Sequence, residues 1–414
     1  MQMDKVLVLP NGVRTYVDRV PTIDMVYITV AVGVGSRDES KEEEGLAHFV
    51  EHMMFDGTTK RSGKEIFKTI NAVGGQINAW TTKSQTSYVA KVRTEHFEVG
   101  LDILSDMIKN STFPEDAIDK EVGVIFEEMS MGRTNDRRMA SEIQNDYIYG
   151  SHPLAHPIIG NEETVSSFTR DQIESFVDRY YVGSNIVVSV SGNINIVEAQ
   201  SIVEKYFKDI PKGESKNMTA VYDMILDDVT ILRYNDTPQA QIGVVFDCFY
   251  TALYIREMVM LQLLSLYLTG TMNSPLTRII REEEALAYSV TSNAVIGYDH
   301  STLTINVGTD VLNSEKVTNI IRDQLTKIVK DGLDPELFDI CINMYKSYIM
   351  ESYETIDNRS AIFANRIMVY GEPYYYEEEL ELLKEIDIDD VWSYAKEIFV
   401  KGNSNTIIYG KITR

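Results

Sequence analysis

The order of strands and helices along this chain occurs twice, and that repetition limits the fold more than any other feature. Strand-like runs at 5–9, 13–18 and 25–34, the first two joined by the Pro10-Asn11-Gly12 turn, lead into a helix over 45–54. A second helix starts at the capping box Ser62-x-x-Glu65 and stops before Gly74-Gly75. A hairpin-like strand pair at 76–81 and 86–93 follows, then a helix carrying Phe97, Leu101, Leu104 and Ile108, then another from Pro114 to about 131. Strands at 229–234 and 241–246 open the same order again, ahead of helices, a second strand pair and more helices. The stretch FPEDAIDKEVGVIFEEM from Phe113 resembles DPELFDICINMYKSYIM from Asp334, and DQIESFVDRYYVGSNIVVSVSGNI from Asp171 matches DDVWSYAKEIFVKGNSNTIIYGKI from Asp389 in pattern, both at offsets near 220 residues. Solenoid units are ~20 to 50 residues long, so a period of this size implies a duplicated domain. The expected class is α+β: two homologous domains, 1–210 and 227–414, each a mainly antiparallel sheet packed against helices, with 211–226 as linker.

Charge and cysteine content narrow the partners. Against 39 Lys plus Arg stand 63 Asp plus Glu, a net charge of -24, which argues against nucleic acid or an anionic membrane as the main partner. The longest dense apolar stretch, 258–268, is interrupted by Gln262 and Ser265 and is too short to cross a bilayer. Cys248 and Cys341 form neither a disulfide framework nor a metal-ligand spacing and are expected to be small buried apolar groups. The start MQMDKVLVLPNG has neither a basic region followed by an apolar core nor an Arg-rich presequence, so a cytoplasmic location is expected.

Six histidines are present, and two of them fall in His48-Phe49-Val50-Glu51-His52 on a predicted helix. At 100° per residue His48 and His52 lie about 40° apart on one face, so both imidazoles can reach one ion while Glu51 projects beside them. His-x-x-Glu-His suits a catalytic zinc, with the histidines as ligands and the carboxylate as general base on water. A catalytic zinc needs a third protein ligand. On the next long helix Ile118, Val122, Ile125 and Met129 make the apolar stripe, and Glu121 and Glu128 flank it at roughly 70° and 90° from its centre. From that border a carboxylate can point into a cleft, and Glu128 is the expected third ligand. At the repeat offset the two glutamates correspond to Ile342 and Ile349, and the second half contains one histidine, His300, so metal chemistry is expected in the first half. Taken alone, Glu121 and Glu128 read more readily as a solvated helix edge; only their fixed distance from the histidine motif reverses that. His152 and His156 are each followed by proline, which makes their segment a loop with a structural role, and His96 and His300 stand outside any motif.

At these residues the sequence resembles the pitrilysin-type inverted-motif zinc peptidases, most closely their short members, the bacterial peptidases similar to the mitochondrial processing peptidase. The resemblance covers nearly the whole chain: GLAHFVEHMMFDGT around the metal helix, INAWTTKSQTSYVAKV, and EVGVIFEEM with Glu128 at the family's distance of 76 residues after His52. It implies two α/β-roll domains, zinc held by His48, His52 and Glu128, Glu51 activating water, and Glu121 as an auxiliary acid behind the site. Asn78-Ala79-Trp80-Thr81 matches the family's exposed edge strand, where a peptide binds through its main chain; the plain alternative is an ordinary half-buried strand. Met272-Asn273-Ser274-Pro275-Leu276 leads into 281–290, similar to the family's substrate-clamping segment, with Arg281 and Tyr288 as the pair that donates to a substrate carbonyl. Read without the family, that segment is an amphipathic helix running into a strand. Glu284-Ala285 departs from the family pattern, in which a basic residue and glycine are common.

These residues together imply a zinc endopeptidase with one Zn2+ per chain, acting on peptides or unfolded polypeptide without a covalent intermediate. The family's short members work as paired chains, and this chain carries both motif and clamp, so a homodimer is expected. The alternative class is a non-catalytic structural or recognition subunit. Within the enzyme reading, a general oligopeptide scavenger and a dedicated precursor-maturing peptidase both stand.

Overall fold

The computed structural model describes residues 5–214, 229–234, 239–251, 254–401 and 404–410. The first sheet holds β1 (Leu7–Val8), β2 (Arg14–Arg19), β3 (Met25–Val32), β4 (Gln76–Thr81), β5 (Thr86–Arg93) and β6 (Ile186–Gly192), in the order β1-β2-β6-β3-β5-β4. Strands β2 and β6 run parallel and the other neighbours antiparallel. The second sheet holds β7 (Val229–Tyr234), β8 (Gln239–Asp247), β9 (Ala287–Ile296), β10 (Ser301–Asp310) and β11 (Ser404–Gly410), in the order β7-β11-β8-β10-β9. Here β7 and β11 run parallel and the rest antiparallel. Apart from β1 the two orders coincide strand for strand, which is the α+β arrangement the repeat implied.

Helices α1 (Leu46–Met53), α2 (Gly63–Ala72), α3 (Phe97–Asn110) and α4 (Glu115–Arg133) follow the predicted positions closely. The capping box at α2 forms as its residues required: the Ser62 N–H donates to Glu65 Oε2 at 2.9 Å. Among the described residues no helix is long and apolar enough to cross a membrane. Cys248 and Cys341 are buried free thiols, and burial pushes both up, Cys341 to about 12.

Strands β3 and β6 are buried along almost their whole length because both faces of the sheet are covered. Val26, Ile28, Val30 and Val32 face the main core with Leu46, Phe49, Leu101 and Leu104. The opposite face meets the helix Ile356–Tyr370, which packs on β2, β3 and β6. There Phe363 lies 4.9 Å from the Tyr16 ring, the hydroxyls of Ser360 and Thr29 are 2.8 Å apart, and the Arg359 guanidinium forks onto Asp18 at 2.6 and 2.8 Å.

Against the expected division into 1–210, a linker at 211–226 and 227–414, the boundary at 219/220 falls within the linker, and that helix is one of two segments exchanged across it. One compact unit comprises 1–131, 152–219 and 352–374, and the other 132–151, 220–351 and 375–414. The first half gives helix α5 (Asp136–Tyr149) to the second unit, where Gln144 Nε2 donates to the Gly243 carbonyl of β8 at 3.2 Å. The second half gives Ile356–Tyr370 to the first. An amphipathic helix has to cover a sheet face, and here each covers a sheet built by the other half of the sequence. Residues 215–226 of the expected linker lie outside the described residues.

Candidate active site

Helix α1 begins at a glycine because nothing larger fits. Gly45 sits at φ +92, and a Cβ there would lie 2.7 Å from the Gly160 Cα. Buried Glu39 closes the helix start, its Oε2 accepting from the Gly45 N–H at 2.9 Å and its Oε1 from the Ala47 N–H at 2.8 Å. Burial drives the Glu39 carboxyl well above its ordinary range, against the pull of those two N–H groups. Leu46, Phe49, Val50 and Met53 lock one side of α1 into the core, which leaves His48 and His52 on the other with ring centroids 4.5 Å apart.

Helix α4 is rotated slightly from the sequence expectation: Glu121 is buried in a row with Ile118, Ile125 and Met129, while Val122 is only half-buried. The reason is polar. Glu121 Oε1 lies 2.6 Å from His52 Nδ1. An ionised carboxylate only accepts, so Nδ1 carries a proton, and in the neutral ring Nε2 is then the nitrogen left to ligate. His52 Nε2 is then 3.9 Å from Glu128 Oε2, and His48 Nε2 is 3.8 Å from the same oxygen. One donor atom from each of His48, His52 and Glu128 falls within 4.8 Å of the others. Two imidazoles and a carboxylate form the donor set that zinc takes at ~2.0 to 2.2 Å, and both histidine–glutamate separations are short enough for one ion to bridge. These residues fit the metal that the sequence implied.

Glu51 is 7% exposed, on α1 beside this cluster, and its Oε2 accepts from Thr81 Oγ1 at 2.7 Å. Burial raises its proton affinity, the Thr81 hydrogen bond and the His52 charge oppose the rise, and the Glu128 charge adds to it. For His52 burial works against the cation, but the hydrogen bond and charge of Glu121, with the charges of Glu51 and Glu128, outweigh it and raise its proton affinity. The arrangement can therefore hold a divalent ion and move a proton at an adjacent carboxylate.

Asn78, Ala79 and Trp80 lie on β4, the edge strand of the first sheet, with Asn78 exposed and Ala79 packed against the core. In the second unit the Arg281 guanidinium lies 4.9 Å from the centroid of the Tyr288 ring, which is 85% exposed. Arg281 belongs to a π-helical turn, Arg278–Glu283, followed by Ala285 at φ +51. His152 Nδ1 accepts from the Leu154 N–H, capping a short turn, and His156 pairs with Glu44 at 3.4 Å. Sequence reasoning missed two residues. Thr81 lies within a matched motif but had no assigned partner, and Glu39 was signalled only as an acid just ahead of a helix start.

Residues 14–162 match the family described as Insulinase (Peptidase family M16), and 167–345 match the Peptidase M16 inactive domain. The chain belongs to the M16 peptidase family. An uncharacterized zinc protease of Bacillus subtilis, YmxG, is 31% identical, with the alignment covering 96% of each chain. An uncharacterized zinc protease of Rickettsia felis is also 31% identical, over 97% of this chain and 96% of its own. The crystal structure of a protease from Helicobacter pylori shares the fold with a TM-score of 0.88 at 21% identity, over 98% of this chain and 99% of that one. The M16 inactive-domain match begins after the histidine motif and ends among the residues where the repeat places Ile342 opposite Glu121.

Proposed function

We propose that this M16 chain is a zinc-dependent endopeptidase that hydrolyses peptides or unfolded polypeptide segments, with water as nucleophile and one ion per chain. The observation that carries the reading is the convergence of His48, His52 and Glu128 within 4.8 Å beside a buried Glu51. The chemistry a zinc ion supplies when bound there is Lewis acidity toward water and the scissile carbonyl. Glu51 accepts a proton from the attacking water and returns it to the departing amine, a task suited by a carboxyl whose proton affinity burial has raised. Glu121 keeps His52 in the tautomer that ligates. The exposed edge of β4 offers main-chain pairing to an extended peptide around Asn78, Ala79 and Trp80, and Arg281 with Tyr288 supplies donors for a substrate carbonyl. The working unit of this reading is a homodimer in the cytoplasm, where thiols such as Cys248 and Cys341 stay reduced.

The test compares wild type with Glu51→Gln for zinc content and for cleavage of a quenched peptide. The variant is expected to keep its zinc and to lose about 10²- to 10⁴-fold in kcat. Undiminished turnover would remove Glu51 from the mechanism. A wild-type chain that binds zinc and cleaves none of a mixed pool of unstructured peptides would favour the non-catalytic subunit.

A further inference from the structure

We propose that Thr81 is a positioning residue for the general base, a role that rests on the reading of Glu51 as that base. Thr81 closes the edge strand β4, directly after the Asn78-Ala79-Trp80 segment proposed to pair with substrate. Side chains alternate along a strand, so Thr81 shares the inward face with Ile77 and Ala79, both packed against the core, and α1 lies against β4. Its hydroxyl donates to Glu51 Oε2 at 2.7 Å.

The donor is held from both sides. Thr81 pairs with Thr86 of β5, and the turn beyond it is closed by the Thr82 N–H and hydroxyl, both donating to the Gln85 carbonyl at 2.8 and 2.9 Å. A β-branched side chain in a strand has few χ1 choices, so a fixed backbone here means a fixed hydroxyl. A threonine hydroxyl has one hydrogen to give. Committed to Oε2, it settles the rotation of the carboxylate and leaves Oε1 as the oxygen turned toward the proton of the attacking water. A carboxylate so held loses little orientational freedom on reaching the transition state. The strand that binds substrate by its backbone and the helix that carries the base are thus joined by one hydrogen bond.

Thr81→Val removes the hydroxyl and keeps the shape, whereas Thr81→Ser keeps the hydroxyl. The measurements are kcat and KM on a quenched peptide, zinc content, and thermal midpoint for both variants, with Glu51→Gln alongside. Expected for Thr81→Val is a kcat lowered about 10- to 100-fold, with KM, zinc and midpoint close to wild type. Thr81→Ser is expected to recover most of that loss. The proposal is overturned if Thr81→Val keeps wild-type kcat, if its loss is confined to KM, if zinc or midpoint falls with activity, or if serine does not restore it. Wild-type turnover in Glu51→Gln would instead overturn the underlying reading of the base, whatever the Thr81 variants do.

Discussion

Ala285 occupies a left-handed backbone conformation, φ +51, at a position where the family resemblance leads one to expect glycine. For an L-residue with a Cβ that conformation costs roughly 1–2 kcal/mol. The turn is held by its neighbours: the Leu286 N–H donates to the Ile280 carbonyl at 2.8 Å, the Glu284 N–H to the Ile279 carbonyl at 3.0 Å, and Glu284 pairs with Lys316. Glycine relieves the strain but gains freedom in the unfolded chain, an offset of about 0.5–1 kcal/mol. Ala285→Gly is therefore expected to stabilise the protein by about 0.5–1 kcal/mol in urea titration. An unchanged or lowered midpoint would show that the turn carries no strain worth relieving. At this scale the sequence was most readable where spacing alone fixes geometry. His48 and His52 had to share a helix face, and the border of the next long helix offered Glu121 and Glu128 together. Thr81 could not be seen, because which hydroxyl meets Glu51 depends on how β4 packs against α1 rather than on any interval along the chain.

At the scale of elements, the order of strands and the positions of α1 to α4 were legible because hydrophobic period, capping residues and glycine pairs are local signals. The destination of a helix is not local. The helix Ile356–Tyr370 has an apolar stripe of Ile356, Phe363, Ala364 and Ile367, which says that one side is buried and leaves open against what. It covers β2, β3 and β6 in the first unit, more than 100 residues beyond β6, and α5 makes the reciprocal assignment. The exchange of these two helices was not legible for this reason, whereas the boundary at 219/220 falls within the expected 211–226. The consequence is that the unit carrying the candidate site depends on a helix from the far end of the sequence. Phe363 is fully buried between Tyr16 and Tyr353, and Phe363→Ala is expected to cost about 3–5 kcal/mol of unfolding free energy. Asn365→Ala, on the exposed side of the same helix, should stay within about 0.5 kcal/mol of wild type. Equal, small effects of the two in denaturant titration would mean that this helix is not part of the first unit's cooperative core.

At the scale of the whole molecule one connectivity is used twice, with the proposed site residues divided unequally. The first unit holds His48, Glu51, His52, Glu121, Glu128 and the edge strand, and the second holds Arg281 and Tyr288. A chain carrying both sets can supply a complete complement to an identical partner, which is the basis for the proposed homodimer. Charge then dictates how that association responds to salt. Each chain bears a net charge of -24, so two copies repel over distances set by the Debye length, ~30 Å at 0.01 M ionic strength and ~8 Å at 0.15 M. Sedimentation velocity is therefore expected to show a dimer whose dissociation constant falls as salt rises between those strengths. Peptidase activity per chain, measured across the same series, should rise with the dimer fraction if both chains are needed for turnover. A species that sediments as a monomer throughout with full activity would remove the dimer from the proposal while leaving the metal site and its base untouched. A dimer that weakens with added salt would place attractive ion pairs, rather than repulsion between like-charged bodies, in control of the interface.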